Sequence, residues 1–202
     1  MNDEPDRTSH GVDLAQLPAG FPTQRHDPRF WEALGRVVAT FGFLEETLGK
    51  AIFAITATTE FSEEAVSEAV EKWGGVLKYA LSDALGAKVI GYEKAVRANA
   101  KVGLGNVNLL IEDLKKVGPL RNALCHGSWR LPDASGASVP FFVDSKLRRF
   151  ESKIDVRYLD QVQRHVIELA VAVVNSVTAM GWQFPGSNGP GEPIWNGSKP
   201  AQ

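Results

Sequence analysis

The length of the chain, 202 residues and 22.0 kDa, is that of one ordinary domain with terminal segments, so two full domains are not expected. A hydrophobic content of 44% and a charged content of 23% exclude collagen-like, disulfide-rich and wholly disordered classes. The single cysteine, Cys125, excludes a disulfide within this sequence and a cysteine-based zinc site, which favours a cytoplasmic location.

The net charge of −2 argues against a protein that coats nucleic acid over its whole surface. Basic side chains are nevertheless concentrated in residues 115–164, which hold ten basic and five acidic residues. The first thirteen residues are acidic and polar, and the apolar run 166–177 is shorter than the about 20 residues that cross a bilayer. We therefore expect neither a secretory signal nor a membrane partner.

Composition divides the chain into a flexible segment 1–27, a helical domain 28–182 and a Pro/Gly-rich tail 183–202. Ile194 and Trp195 are two large apolar residues in the second half of the tail. They either attach it to the domain or stay exposed.

The first helical pattern begins at Asp27-Pro28, because an aspartate cap followed by proline is typical of a helix start. Apolar residues then recur mostly at spacings of three and four as far as Ile55, which predicts one long amphipathic helix over 28–57.

Shorter helical patterns follow. A helix is predicted over 62–73, because the pair Gly74-Gly75 is typical of a helix end. Further helical pieces are predicted over 76–85 and 92–100, with a stop or kink near Gly86.

The second strong helical pattern covers 106–126 and is expected to bend at Gly118-Pro119. Residues 128–154 mix turn residues with β-forming residues, which predicts a small β-hairpin or an ordered loop. Asp155 is predicted to cap a last helix that ends at Gly181. The fold class predicted by these patterns is an all-α helical bundle with a small β-hairpin or ordered loop before the last helix.

Side chains suited to phosphate chemistry are concentrated at the end of the 106–126 helix, in Arg121-Asn-Ala-Leu-Cys-His-Gly-Ser-Trp129. Asn122 and His126 are four residues apart and share a helix face, and a long arginine at 121 reaches round to them. An imidazole exchanges protons and a guanidinium binds phosphate, so this set suits cleavage of a phosphodiester. Alternatively, the two cations satisfy carbonyls at the helix end, with Gly127 as the cap residue.

The pattern Arg121-Asn-x-x-x-His126 resembles the Arg-polar-x-x-x-His signature of the HEPN superfamily, and the following Gly-Ser-Trp129 resembles the His-Gly-x-Trp extension of some bacterial members. The resemblance covers about residues 28–181. It implies a helical bundle that forms a homodimer with two facing motifs. In many members it implies a metal-independent endoribonuclease without a cofactor, in bacterial defence or in a toxin–antitoxin system with an antitoxin partner.

The resemblance also implies the roles of the motif residues. His126 would be the general base or acid on the ribose 2′-hydroxyl or the leaving oxygen, Arg121 would stabilise charge on the phosphate, and Asn122 would position them. Some members are non-catalytic modules that bind nucleotide, RNA or protein, so this alternative stays open.

Glu45 is a second candidate, because helical geometry places it on the apolar face of the first helix, whereas Glu46 points outward. A buried carboxylate needs a cation or hydrogen-bond donors, and Arg121 or His126 is the expected partner. Glu45 is either a member of a structural ion pair or a supporting residue of the site.

The region around the motif adds further candidates. Trp129 is expected to pack under the following loop, with base stacking as the alternative. Cys125 is predicted to be a small buried residue rather than a nucleophile. No spacing of His, Asp or Glu suits a metal ion, so no metal site is expected. Residues that are either RNA and phosphate contacts or part of a solvated face are Arg130, Lys146, Arg148 and Arg149.

Overall fold

The computed structural model describes residues 9–82, 84–103 and 105–189. These residues form a short 3-10 helix (Leu14–Gln16) and five α-helices: α1 (Pro28–Ala57), α2 (Glu63–Ser82), α3 (Leu85–Ala98), α4 (Val107–His126) and α5 (Val156–Thr178). In the described ranges, β structure is limited to three isolated bridges between Ser128 and Ile154. The chain is an all-α bundle, as predicted.

Helix α1 is the centre of the bundle, because it contacts the other four helices and packs most extensively along α5. It begins where predicted: Pro28 is its first residue, and the Asp27 carboxylate accepts a hydrogen bond of 2.8 Å from the main-chain N–H of Arg29. Its buried residues follow the predicted stripe and include Phe30, Leu34, Val37, Phe41, Leu44, Leu48, Ile52 and Ile55.

Helix α5 also begins as predicted, since the Asp155 carboxylate accepts a hydrogen bond of 2.7 Å from the N–H of Tyr158. Its last residue is Thr178, and Gly181 then adopts the left-handed conformation with φ of 85°. The face of α5 that packs into the core carries Leu159, Val162, Val166, Leu169, Val173 and Val177.

The prediction that the second helix ends at Gly74-Gly75 is wrong, because α2 continues through both glycines to Ser82. A glycine ends a helix by adopting a positive φ, and neither residue has one. Both lie on an open part of the helix, where an added Cβ would meet nothing within 4 Å. Glycine inside a helix costs only about 1 kcal/mol relative to alanine, so the helix continues.

The stop predicted near Gly86 lies just before Leu85, after α2 has ended at Ser82, and Gly86 itself lies inside α3. The piece predicted over 92–100 is the second half of this same helix. Its buried Val89 and Tyr92 pack into the core, and this tertiary contact outweighs the poor helix propensity of glycine.

Both terminal regions contribute to packing where they are described. The indole N–H of Trp31 donates a hydrogen bond of 2.9 Å to the carbonyl of Thr23, and His26 is buried. At the other end, Phe184 is part of the hydrophobic core. Ile194 and Trp195 lie outside the described residues, and the domain division stays a prediction. None of the helices in the described ranges is long and apolar enough to cross a membrane.

Candidate functional site

The motif residues lie at the C-terminal end of α4, which continues through Pro119 to His126. The N–H of Gly127 donates a hydrogen bond of 3.0 Å to the carbonyl of Ala123 and ends the helix. A Cβ at Gly127 would lie 2.4 Å from that oxygen and 2.7 Å from Cβ of Pro140, so this turn requires glycine. The turn leads the chain directly from His126 into the loop 128–154, whose bridges confirm an ordered loop.

The guanidinium group of Arg121 joins the predicted site residues. Its Nη2 lies 3.1 Å from Oε1 of Glu45 on α1, and its Nη1 lies 3.4 Å from Nε2 of His126. The same Nη1 donates to the side-chain oxygen of Asn122 at 3.4 Å. The side chains of Arg121 and Glu45 are 23% and 19% exposed, whereas Asn122 and His126 are exposed. The structure therefore brings Glu45, Arg121, Asn122 and His126 into one cluster.

Glu45 occupies the position predicted from the helical phase of α1, between the buried Phe41 and Leu48. Its Oε1 is inaccessible to solvent and accepts no directed hydrogen bond. Its contact with Arg121 is therefore an ion pair in which the guanidinium N–H bonds are not aimed at this oxygen. Glu46 points outward and pairs with Lys50 at 2.6 Å.

The main chain at Glu45 is fixed by a residue that the sequence did not suggest. The buried Lys88 of α3 donates hydrogen bonds through Nζ to the carbonyl of Glu45 at 3.2 Å and to that of Leu81 at 3.5 Å. This contact joins α1, the end of α2 and α3 next to the ion pair. An isolated lysine in a helical pattern carries no signal for such a role.

The contacts of Arg121 argue against the view that it merely closes the helix. In the described part of the chain its partners are the side chains of Glu45, Asn122 and His126 rather than main-chain carbonyls. A guanidinium can only donate, so a hydrogen bond to His126 requires a lone pair on Nε2 and the proton on Nδ1. This lone pair on Nε2 is the one that a base at this position would use.

Trp129 is half-buried and packs against the hydrophobic core, and its aromatic neighbours lie in and just before the first turn of α1. The centre of its ring lies 4.8 Å from that of Phe30, 6.2 Å from that of His26 and 6.4 Å from that of Trp31. Burial lowers the pKa of His26, whose buried Nε2 has no hydrogen-bond partner among the described residues. The packing of Trp129 in this cluster favours the packing role over base stacking.

The four predicted basic contacts divide into two groups. Arg148 is committed to an ion pair, because its Nε and Nη2 both lie 2.7 Å from Oδ2 of Asp144. Lys146 is exposed on the same turn. Arg130 and Arg149, by contrast, both face the ring of Phe141, a residue that sequence reasoning assigned only to the hairpin or loop. No local spacing signals this meeting.

The prediction that Cys125 is buried is wrong, because its side chain is exposed. Ala123 and Leu124 occupy the core-facing positions of this turn, and Cys125 is rotated about 100° beyond Leu124 and about 200° from Ala123. Cys125 is therefore on the outer surface near the motif.

Two of the grooves in the described part of the chain lie outside the motif itself. One is apolar and lies away from the motif, between the end of α1 and α2, with Phe61, Val70 and Trp73 in its lining. The other borders Glu45 and is lined by residues of α1 and α2 and by Lys88 and Pro185. Within the described residues there is no cluster of three or more His, Cys, Asp or Glu side chains able to hold a metal ion.

Comparison of the chain with family models, with curated proteins and with solved structures gives no match.

Proposed function

We propose that this protein is a metal-independent endoribonuclease of the HEPN type. The observation that carries the proposal is the placement of Arg121, with one nitrogen beside the recessed Glu45 carboxylate and another beside the exposed imidazole of His126. A phosphate that approaches the end of α4 would meet the guanidinium, the imidazole and the Asn122 amide together.

The proposed reaction is attack of a ribose 2′-oxygen on the adjacent phosphorus. Nε2 of His126 takes the proton from the 2′-hydroxyl, the new bond from 2′-oxygen to phosphorus forms, and the bond to the 5′-oxygen of the next nucleotide breaks. The leaving 5′-oxygen receives a proton from a second acid or from water. The products are a 2′,3′-cyclic phosphate and a 5′-hydroxyl.

Arg121 and Asn122 serve the same reaction without exchanging protons. Negative charge builds up on the non-bridging oxygens of the phosphate during the reaction, and the Arg121 guanidinium stabilises this charge. Because Glu45 already holds the guanidinium in place, the guanidinium does not have to reorganise as the charge develops. The Asn122 amide orients the guanidinium or the phosphate.

A homodimer with facing motifs is part of the proposal, because the resemblance of the motif implies one. In such a dimer the second copy of His126 is available as the acid. The wider setting, bacterial defence or a toxin–antitoxin system with an antitoxin partner, follows from the resemblance of the motif.

The test is incubation of the purified protein with a mixed RNA pool in EDTA, followed by end-group analysis. We compare the wild type with His126→Ala and with His165→Ala, a control that removes an exposed histidine from α5. Wild type and control should leave 2′,3′-cyclic phosphate ends, whereas His126→Ala should be inactive with an unchanged Tm. Full activity of a folded His126→Ala variant, or loss of wild-type cleavage in EDTA, would overturn the proposal. RNA binding without cleavage would favour the non-catalytic module.

A further inference from the structure

The loop 128–154 presents an aromatic ring to solvent beside two arginines. The side chain of Phe141 is 48% exposed. Cζ of Arg130 lies over this ring at 4.8 Å from its centre, and Cζ of Arg149 lies at 6.0 Å. We call these three residues the Phe141 platform.

Hydrogen bonds fix the platform to the end of α4. The N–H of Ser128 donates to the carbonyl of Phe141 at 3.0 Å, and the N–H of Phe141 donates to the carbonyl of Ser128 at 2.8 Å. Ser128 is two residues beyond His126. Paired residues in such a bridge have Cα atoms about 5.5 Å apart and neighbours along the chain about 3.8 Å, so Cα of Phe141 lies within about 13 Å of that of His126.

The two guanidinium groups of the platform are free to bind an anion. Among the described residues, neither Arg130 nor Arg149 has a carboxylate within 4.0 Å, whereas neighbouring cations such as Arg148 and Lys153 form ion pairs at 2.7 Å and 2.6 Å. One acidic residue, Glu151, borders the same shallow groove, so the groove is more basic than acidic.

We infer that the Phe141 platform binds single-stranded RNA next to the bond that is cleaved. A base would stack on the exposed ring or on an arginine plane, and the flanking phosphates would contact Arg130 and Arg149. A single strand is required because the bases of a duplex already stack on one another. The inference rests on the proposed function for the identity of the ligand, but binding at the platform does not require cleavage.

The experiment measures binding of a fluorescein-labelled, 12-nucleotide single-stranded RNA by fluorescence anisotropy. Each ribose carries a 2′-O-methyl group, so the oligonucleotide cannot be cleaved. Phe141→Ala should raise the Kd between about 5-fold and about 150-fold, the range expected for loss of one stacked base. Phe141→Trp should retain binding, and Leu147→Ala, on an exposed residue of the same loop, should leave the Kd unchanged.

A second measurement does not depend on the folding of Phe141→Ala. Each phosphate contact on a single strand contributes about 0.7 to the slope of log binding constant against log salt, so the double variant Arg130→Gln/Arg149→Gln should reduce this slope by about 1.4. Arg148→Gln is the matched control, because Arg148 is already neutralised by Asp144.

Four results would overturn the inference. They are absence of wild-type binding, a Kd of folded Phe141→Ala within two-fold of the wild type, an unchanged salt slope in the double variant, and competition by an RNA duplex or an acidic peptide as strong as that by the single strand. If the platform binds as expected but wild type does not cleave RNA, the proposed nuclease fails and the binding site stands.

Discussion

Replacing Glu45 with alanine is expected to lower the free energy of unfolding much more than the same replacement at Glu46, although the two residues are adjacent on α1. Glu45 is recessed and pairs with Arg121. Glu46 is 62% exposed and pairs with Lys50, which is 40% exposed. Water and salt screen a surface pair, so the Glu46→Ala effect should be hard to resolve.

The size of the Glu45 effect follows from the charge that is left behind. Breaking a fully buried ion pair costs about 3–5 kcal/mol, because the remaining charge has no partner. The side chains of Arg121 and Glu45 keep about a fifth of their exposure and lack a directed hydrogen bond, so the expected loss is about 1–2 kcal/mol. For a chain of 202 residues this corresponds to a decrease in Tm of about 2–8 °C.

Urea and thermal unfolding, followed by circular dichroism, measure this difference. Both alanine variants remove the same atoms and gain the same helix propensity, so each is the control for the other. Glu45→Gln keeps the shape and removes the charge, and it should lose nearly as much stability as Glu45→Ala. Equal and small effects at both positions would refute the reasoning, because they would mean that Glu45 faces solvent and that its ion pair with Arg121 does not stabilise the fold.

The remaining predictions concern packing and pH. Gly49→Ala should destabilise the protein, because the new Cβ would lie 2.7 Å from the carbonyl oxygen of Ala80. Gly42→Ala should instead raise the free energy of unfolding by about 0.5–1 kcal/mol, because its new Cβ would meet no atom within 4 Å and alanine favours the helix. Thermal unfolding checks these opposite signs, and a shared sign would contradict them. Burial lowers the pKa of His26 from its ordinary 6.5, so the unfolded chain binds a proton first and stability should fall as the pH drops below about 6.5. The decrease should be absent in His26→Phe, and urea unfolding across this pH range measures it.

The helices α1 and α5 were predictable from the sequence because their signals are local. An aspartate cap fixes each start, at Asp27 and at Asp155, and an unbroken apolar stripe fixes the length. The end of α2 was not predictable in this way. Gly74 and Gly75 permit a helix end without requiring one, because glycine weakens a helix without preventing it.

In the candidate site, too, the contacts within one helix were predictable from local sequence, whereas the contacts between distant segments were not. The spacing of Arg121, Asn122 and His126 fixes their proximity on one helix, and the phase of α1 fixes the inward position of Glu45. The choice of Arg121 rather than His126 as the partner of Glu45 depends on how α1 and α4 pack. Phe141 lies beside Ser128 through a bridge across thirteen residues, and no local pattern encodes that pairing.

The geometry at Arg121 also indicates why this position suits arginine rather than lysine. One nitrogen of the guanidinium, Nη2, lies beside Glu45, and another, Nη1, lies beside His126 and Asn122. A single planar group can therefore pair with the carboxylate through one nitrogen and donate hydrogen bonds through the other. The ammonium of lysine has one nitrogen, and an ion pair with Glu45 would draw that nitrogen away from the histidine. The recessed carboxylate thus orients the donors of Arg121 toward the surface, where a phosphate can reach them.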